Sequence, residues 1–372
     1  MRPTFAEIDL SAIHYNLKQV RKQVGRRPRI MAVVKANAYG HGMIPVAKSV
    51  LSRKLASYLG VAIVEEGVTL RSNGIGVPVL VLTAAPEPQL SLFVEHNLEA
   101  TLCSISIARK LDRIASGLGK KAVVHVKVDT GMGRIGVPPK DAIAFVGEVR
   151  KLGNIDLAGI FTHFATADEK DLSFAVKQLS DFTTLLRGLE GAGIHIPVKH
   201  CANSGAILQI KESYFDMVRP GIMLYGHYPS GETRKAVPLK PAMSIRSRIE
   251  FMKTVERGTS VSYGRRYFTS SRTNIASVAI GYADGISRRL TNKTSVLVKG
   301  KEYPVVGTIC MDQLMIDVGG RTACEIGDRV TLMGRDGNRE ISCRKISDTL
   351  GTIPYEVFCM VSERVPRVYI HG

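Results

Sequence analysis

The sequence predicts an α/β chain with an N-terminal barrel of eight βα units followed by a mainly antiparallel β domain. Three observations carry that prediction. Eight short apolar, β-branched runs alternate with amphipathic stretches up to about residue 233. Near-continuous apolar runs of this kind are the pattern of parallel strands covered by helices on both faces. Each run finishes in polar or charged residues, as strands do at the mouth of a (β/α)8 barrel of the TIM type. From about Arg234 onward the runs become short and alternating, with turns between them, which is the antiparallel pattern. An open doubly wound sheet is the alternative for the first part, because periodicity does not show closure. The expected domains are residues 1–233 and 234–372.

The runs can be taken in order. "RIMAVVK" ends in Lys35, "LGVAIVE" in Glu65 and "VPVLVLT" in Thr83. "EATLCS" follows, then "VVHVKVD" with Lys127 and Asp129. "LAGIFTHF" carries His163, "PVKHCANS" ends in Asn203 and Ser204, and "MVRPGIMLYG" carries Arg219. Between them lie stretches such as "DLSFAVKQLSDFTTLLRGLEGAG". There Phe174, Leu179, Phe182, Leu185 and Leu186 recur near helical spacing. The loop "GHYPSGETRKAVPLKPA" is rich in Pro, Gly and charge and marks the boundary. Beyond it "MSIRSRIEFMKTVERG", "TNIASVAIGYADG", "TSVLVKG", "EYPVVGTI", "QLMIDVGG" and "RVTLMG" read as strands. "CRKISDTLGT" reads as a helix, and "IPYEVFCMVSERVPRVYI" closes the chain.

Composition excludes several classes. Hydrophobic residues make up 45% of 372, enough for full cores without disulfides. The six cysteines are scattered and form no CxxC pair, which predicts a reducing compartment and no metal site. The stretch "MRPTFAEIDLSAIHYN" is interrupted by Glu7 and Asp9 and lacks a signal-peptide core. No apolar run approaches the roughly 18–20 residues that span a bilayer. A cytoplasmic protein without membrane association is expected. The net charge of +18 invites a nucleic-acid reading, but no stretch concentrates it or interleaves it with stacking aromatics. No nucleic-acid partner is expected. "GMGRIG" (residues 131–136) matches a dinucleotide fingerprint, yet Pro138 and Pro139 follow where a helix should open directly. Nicotinamide binding is therefore not expected.

The strand ends suggest amine chemistry. A lysine desolvated at a barrel mouth has a lowered pKa and can form a Schiff base with a carbonyl. A phosphate needs backbone N–H groups, small residues and hydroxyls. "NSGA", with Ser204, and "RPGI", with Gly221, supply these. Together they suit pyridoxal 5′-phosphate (PLP).

"VVKANAYGHG" resembles the PLP-lysine signature of the alanine racemases. The likeness runs on through "VKVDTGMGRIG", "THFATADE", "HCANSGA", "RPGIMLYG", "SYGRRY", "GYADG", "CMDQ" and "PYEV". It covers nearly the whole chain, from Lys35 to Tyr355. The resemblance implies a PLP-dependent isomerase that interconverts L- and D-alanine by two bases, with D-alanine going to cell-wall peptidoglycan. Lys35 would hold PLP and act as one base. Tyr263 would be the other, delivered from the partner in a homodimer with shared active sites. Tyr39, Ser204, the backbone of Gly221 and Ile222, and Tyr355 would hold the phosphate. Arg219 would face the pyridine nitrogen, and His163 with Arg219 would tune Tyr263. Met311 and Asp312 would come across the same interface as substrate-binding residues, and Met311 would offer its backbone N–H to the substrate carboxylate, with Arg134 nearby. Tyr282 and Tyr355 would narrow the entrance to suit a small side chain. Lys127 matches a position that can be carbamylated. No metal is implied. Gly205 departs from a frequent Ala and would loosen the helix start beside the phosphate.

Other readings are a broader-specificity or serine racemase of the same family, a non-catalytic PLP carrier, a related decarboxylase and a PLP-free aldolase. The second domain argues against the carrier. Tyr263 fits a racemase better than a decarboxylase. An aldolase would lack the visible absorbance of PLP.

Overall fold

The computed structural model describes residues 3–84 and 86–371. Positions 1, 2 and 372, the outer limits of the two expected domains, and residue 85 lie outside the described residues. Strand β1 (Phe5–Asp9) opens the chain and pairs with strands from its far end. The eight barrel strands are β2 (Arg29–Val33), β3 (Tyr58–Val61), β4 (Val79–Val81), β5 (Glu99–Leu102), β6 (Ala122–Lys127), β7 (Ile155–Phe161), β8 (Val198–His200) and β9 (Met217–Val218).

Their order is β8-β7-β6-β5-β4-β3-β2-β9, and every pair is parallel. Backbone bonds close the ring between β8 and β9. Asp216 N donates to Lys199 O at 3.1 Å, and Arg219 N to Ala202 O at 2.9 Å. The barrel is therefore observed, and the open sheet is excluded. Its interior is filled by Met31, Tyr58, Leu80, Phe161, Val198 and Met217, one from each of six strands. Side chains from alternate strands layered in this way make a core rather than a pore.

One run differs from expectation. "GIMLYG" is not a strand: only Met217–Val218 pairs, with Arg29 and Ile30. Pro220 has no N–H to donate to a ladder. The chain then tightens into a 3-10 turn, Ile222–Tyr225, and Tyr225 Oη donates to Val33 O at 3.0 Å.

The β-rich unit is built around β10 (Met243–Val255), followed by β11 (Thr273–Val278), β12 (Ser295–Val298), β13 (Lys301–Pro304), β14 (Leu314–Gly319), β15 (Arg329–Asp336), β16 (Arg339–Ile341) and β17 (Arg367–Ile370). A register shift between Ile249 and Phe251 bends β10. Its first half thus pairs with β1 and β15, and its second half with β11. All pairings here are antiparallel except β1 with β17. The helix Cys343–Leu350 lies where the sequence places it.

The compact units divide the chain differently from a single cut at 233/234. One comprises Met1–Ala12, Tyr39–His41 and Pro241–Gly372; the other comprises Ile13–Ala38 and Gly42–Lys240. The reason is visible in β1: β10 and β17 pair with its two edges, and Ala6 and Ile8 are fully buried. No described helix is long and apolar enough to cross a membrane.

Candidate active site

Lys35 sits just past the end of β2, at the start of a left-handed turn. Ala36, Asn37, Ala38 and Tyr39 have φ of 50°, 53°, 55° and 52°, and Gly40 has 77°. Each left-handed non-glycine residue costs roughly 1–2 kcal/mol, so the turn needs compensation. Ala38 N donates to Val34 O at 2.7 Å, Gly42 N to Asn37 O at 2.9 Å, and Met43 N to Asn37 Oδ1 at 2.8 Å. Glu66 clamps the turn from the neighbouring strand end. Its carboxylate accepts from Ala36 N at 2.5 Å and from Ala62 N at 2.8 Å. Strain held in this way at a reactive residue is a form of preorganisation.

Four cations converge on His163. Burial first, then Arg219, Lys127, Arg134 and Lys35, hold its pKa well below the usual histidine range. His163 is therefore neutral, and its Nδ1 lies 3.2 Å from Arg219 Nη2. Burial, Arg219 and Arg134 likewise push Lys127 well below an ordinary lysine. Its Nζ stands 4.7 Å from the centre of the Phe161 ring. Buried Arg219 has its pKa lowered to about 10 by desolvation. It donates to Thr162 O at 2.9 Å, to Cys201 O at 3.0 Å and to His200 Nδ1 at 2.8 Å.

Ser204 and Gly221 meet directly: Gly221 N donates to Ser204 Oγ at 2.9 Å. Ser204 opens the short helix Ser204–Gln209, whose cap, Asn203, accepts from Ala206 N at 3.0 Å. The first amides of such a helix have no intrahelical partner. The donor set is thus a hydroxyl and backbone N–H groups, which suits a phosphate. Gly205 has a steric reason rather than a loosening effect. A Cβ there would lie 2.5 Å from Ala167 O and 2.9 Å from Asp168 N. Gly205→Ala is expected to destabilise the protein by about 1–3 kcal/mol. Thermal unfolding checks the effect, and an unchanged midpoint would show that the contact yields.

"GMGRIG" forms a pinned loop whose ends, Val128 and Val137, meet in a parallel bridge. Asp129 Oδ1 accepts from Gly131 N at 3.0 Å and Gly133 N at 3.1 Å, and Val137 N donates to Lys127 O at 2.9 Å. The next helix starts only at Pro139. The loop presents Arg134, not a nucleotide site.

The remaining expected residues fall in the β-rich unit. The rings of Tyr39 and Tyr355 lie 5.8 Å apart. Burial, then Cys359, raises the Tyr39 pKa, so its hydroxyl stays a protonated donor. Tyr263 is 72% exposed. It follows Ser262, whose φ of 66° and ψ of −175° is a region otherwise left to glycine. Ser262 Oγ donates to Thr308 O at 2.6 Å, and Thr308 Oγ1 donates to Tyr263 O at 2.7 Å. The Cys310–Met311 segment is bound to Tyr282: Tyr282 N donates to Cys310 O and Ala283 N to Met311 O, both at 3.0 Å. A Cβ on Gly281 would strike both carbonyls, so only glycine permits this approach. Asp312 Oδ1 accepts from Arg364 Nη2 at 2.7 Å. Tyr263, Tyr282, Met311 and Asp312 thus belong to linked, exposed turns. Among the described residues no three His, Cys, Asp or Glu side chains cluster to hold a metal ion.

Sequence reasoning missed several residues. It singled out Glu65, whereas Glu66 clamps the lysine turn; an acidic residue at the third helical position was the signal for it. It left His41 without a role, and its Nδ1 lies 2.9 Å from Tyr39 O. It passed over Gln178, which is fully buried and accepts from Ala165 N at 2.9 Å while donating to His163 O at 3.2 Å. It also gave no role to His125 or His200.

The family described as alanine racemase, N-terminal domain, matches residues 8–229, and alanine racemase, C-terminal domain, matches residues 242–369. Alanine racemase 2 of Caldanaerobacter subterraneus subsp. tengcongensis is 47% identical over 372 residues, spanning 100% of this chain and 96% of that protein. Alanine racemase from Clostridium difficile superposes with a TM-score of 0.95 at 43% identity, covering 99% of this chain and 96% of that one. Alanine racemase from Bacillus anthracis, solved with bound L-Ala-P, gives 0.92 at 38% identity, covering 100% and 96%.

Proposed function

The chain belongs to the alanine racemase family, and from that premise we propose that it interconverts L- and D-alanine using PLP at the barrel mouth. The carrying observation is a lysine on a clamped left-handed turn, paired with a donor-only guanidinium, in one cationic cluster around His163. The donors at Ser204, Gly205 and the Gly221–Ile222 turn suit the phosphate, with the hydroxyls of Tyr39 and Tyr355 added. None of these groups is a carboxylate, so nothing in the set repels an anion.

When bound, PLP draws electrons from the amino acid attached to it and acidifies the Cα proton. The chain's own residues do the rest. Lys35 would hold the cofactor by its Nζ and, as a base, would move the Cα proton on one face. Tyr263, from the partner in a homodimer, holds the proton at its Oη on the other face. Its exposure supports that reading, because an exposed tyrosine on a braced turn is available to a second chain. Arg219 has no acceptor and cannot take a proton. It leaves the ring nitrogen unprotonated, which moderates the electron sink and disfavours transamination. The substrate carboxylate would be met by the N–H of the partner's Met311, with Arg134 nearby, and within each chain Arg364 steadies Asp312. Tyr282 and Tyr355 limit the side chain. Lys127 has the lowered pKa that carbamylation needs. A carbamate there would place one negative charge between Arg134 and Arg219. The expected setting is the cytoplasm, with D-alanine supplied to peptidoglycan.

Chiral chromatography after incubation with L-alanine, L-serine and L-lysine tests the reading. D-Alanine is expected to dominate. Absence of D-alanine would remove the proposal, and comparable D-serine would replace it with a broader racemase.

A further inference from the structure

A line of polar side chains crosses the barrel interior behind Arg219. Arg219 Nη1 lies 2.8 Å from His200 Nδ1. His200 Nε2 lies 3.0 Å from His125 Nδ1. His125 Nε2 lies 3.0 Å from Glu99 Oε2, off the line of the ring N–H. Tyr58 Oη donates to both Glu99 oxygens at 2.9 Å. Tyr58, Glu99, His125 and His200 belong to β3, β5, β6 and β8, and Arg219 follows β9. All five are buried.

The protons in this line have one consistent placement. Arginine only donates, so His200 Nδ1 is a lone pair and the His200 proton sits on Nε2. That proton points at His125 Nδ1, which must also be a lone pair. The His125 proton is then on Nε2, the ring nitrogen 3.0 Å from the Glu99 carboxylate, an ion–dipole contact rather than an aligned hydrogen bond. Burial and the nearby Arg219 hold His200 well below the usual histidine range, in keeping with a single proton. The ring of His200 is fixed by stacking on Phe161, 4.7 Å away and within 5° of parallel. The line also needs a gap. β7 lies between β6 and β8, and Gly159 is the residue that lets His125 reach across it. A Cβ at Gly159 would collide with His125 Nδ1 and lie 2.8 Å from Val198 O.

We propose that Glu99 and His125 are positioning residues for Arg219. The carboxylate at the start of β5 sets one tautomer on both imidazoles, so Arg219 always meets an acceptor and is held as a donor toward the cofactor ring. The catalytic part of this proposal rests on the racemase reading; the tautomer part does not. Proton polarity along such a chain is cooperative, since each bond polarises the next. Arg219 biases the line from one end and Glu99 from the other; without the carboxylate only Arg219 holds the polarity, and the reversed tautomers, with His200 N–H toward a guanidinium, gain population.

Nitrogen NMR of the histidine-labelled full chain, without cofactor, reads the tautomers. His125 and His200 are both expected to carry the proton on Nε2; a proton on Nδ1 of either would overturn the proposal. In Glu99→Ala, mixed tautomers are expected. With PLP loaded, the side reaction that converts it to the pyridoxamine form should rise about tenfold per turnover, the scale of one weakened charge-assisted hydrogen bond. Glu99→Gln keeps the shape and an acceptor oxygen and covers the case in which the alanine variant does not fold. It should keep the tautomers and show a smaller rise. Unchanged tautomers in Glu99→Ala, or unchanged partition in Glu99→Gln, would overturn the proposal. If wild-type protein made no D-alanine while both Nε2–H tautomers were found, the racemase reading would fail and the tautomer assignment would stand.

Discussion

Replacing Lys35 with alanine is expected to lower racemisation of alanine by about 10⁴-fold or more, because in the proposed mechanism one side chain supplies both the cofactor attachment and a proton-transfer base. The fold should survive. The turn around Lys35 is held by Glu66 and by backbone bonds from Ala38 and Gly42, none of which uses the lysine amine. Chiral product analysis gives the loss, and circular dichroism checks the fold. Added methylamine separates chemistry from structure, since a small amine can replace a missing Nζ but cannot repair a misfolded turn. Activity within about tenfold of wild type, against the roughly 10²–10⁴-fold contribution of a proton-transfer group, would remove Lys35 from the mechanism.

Tyr263→Phe tests the second base, and the readout has to be chosen with care. Enantiomers have equal free energies, so the equilibrium constant is one. The two net racemisation efficiencies must fall together whatever the mechanism. The asymmetry lies in hydrogen exchange. In deuterated water, exchange at Cα of the enantiomer served by Lys35 should persist. Exchange from the enantiomer served by Tyr263 should fall by about 10²–10³-fold. Removing one exposed hydroxyl should leave stability within about 0.5 kcal/mol. Equal, small losses of exchange from both enantiomers would sink the two-base assignment.

The legible parts of the fold share a physical reason. β2 through β6 are buried over most of their length, so their runs are mostly apolar and easily read. The polar residues closing those runs are equally visible, and His163 and Arg219 do lie together. The unread parts depend on distant partners. β1 looks like any short alternating strand, and its place is set by residues 243–246 and 367–370. "GIMLYG" looks like a strand because its composition does not show that Pro220 ends the pairing. Glu66 and Glu65 are adjacent and alike, and only the direction each takes from its helix makes one a clamp. Gly205 and Gly159 read as neutral small residues until the backbone and the ring that need their missing Cβ are in place.

The sequence by itself determined the alternation of strands and helices in the first part, its parallel α/β class, the lysine that ends the first run and the donors suited to a phosphate. These follow from local composition and short spacings, which do not depend on what lies across the molecule. Only the tertiary structure decided the left-handed path through Ala36 to Tyr39, the neutral state of His163 and the proton line from Arg219 to Glu99. Those depend on burial, on the summed field of cations from several strands and on approaches of a few ångströms between residues such as His125 and His200, 75 positions apart. A one-dimensional pattern carries no distance of that kind.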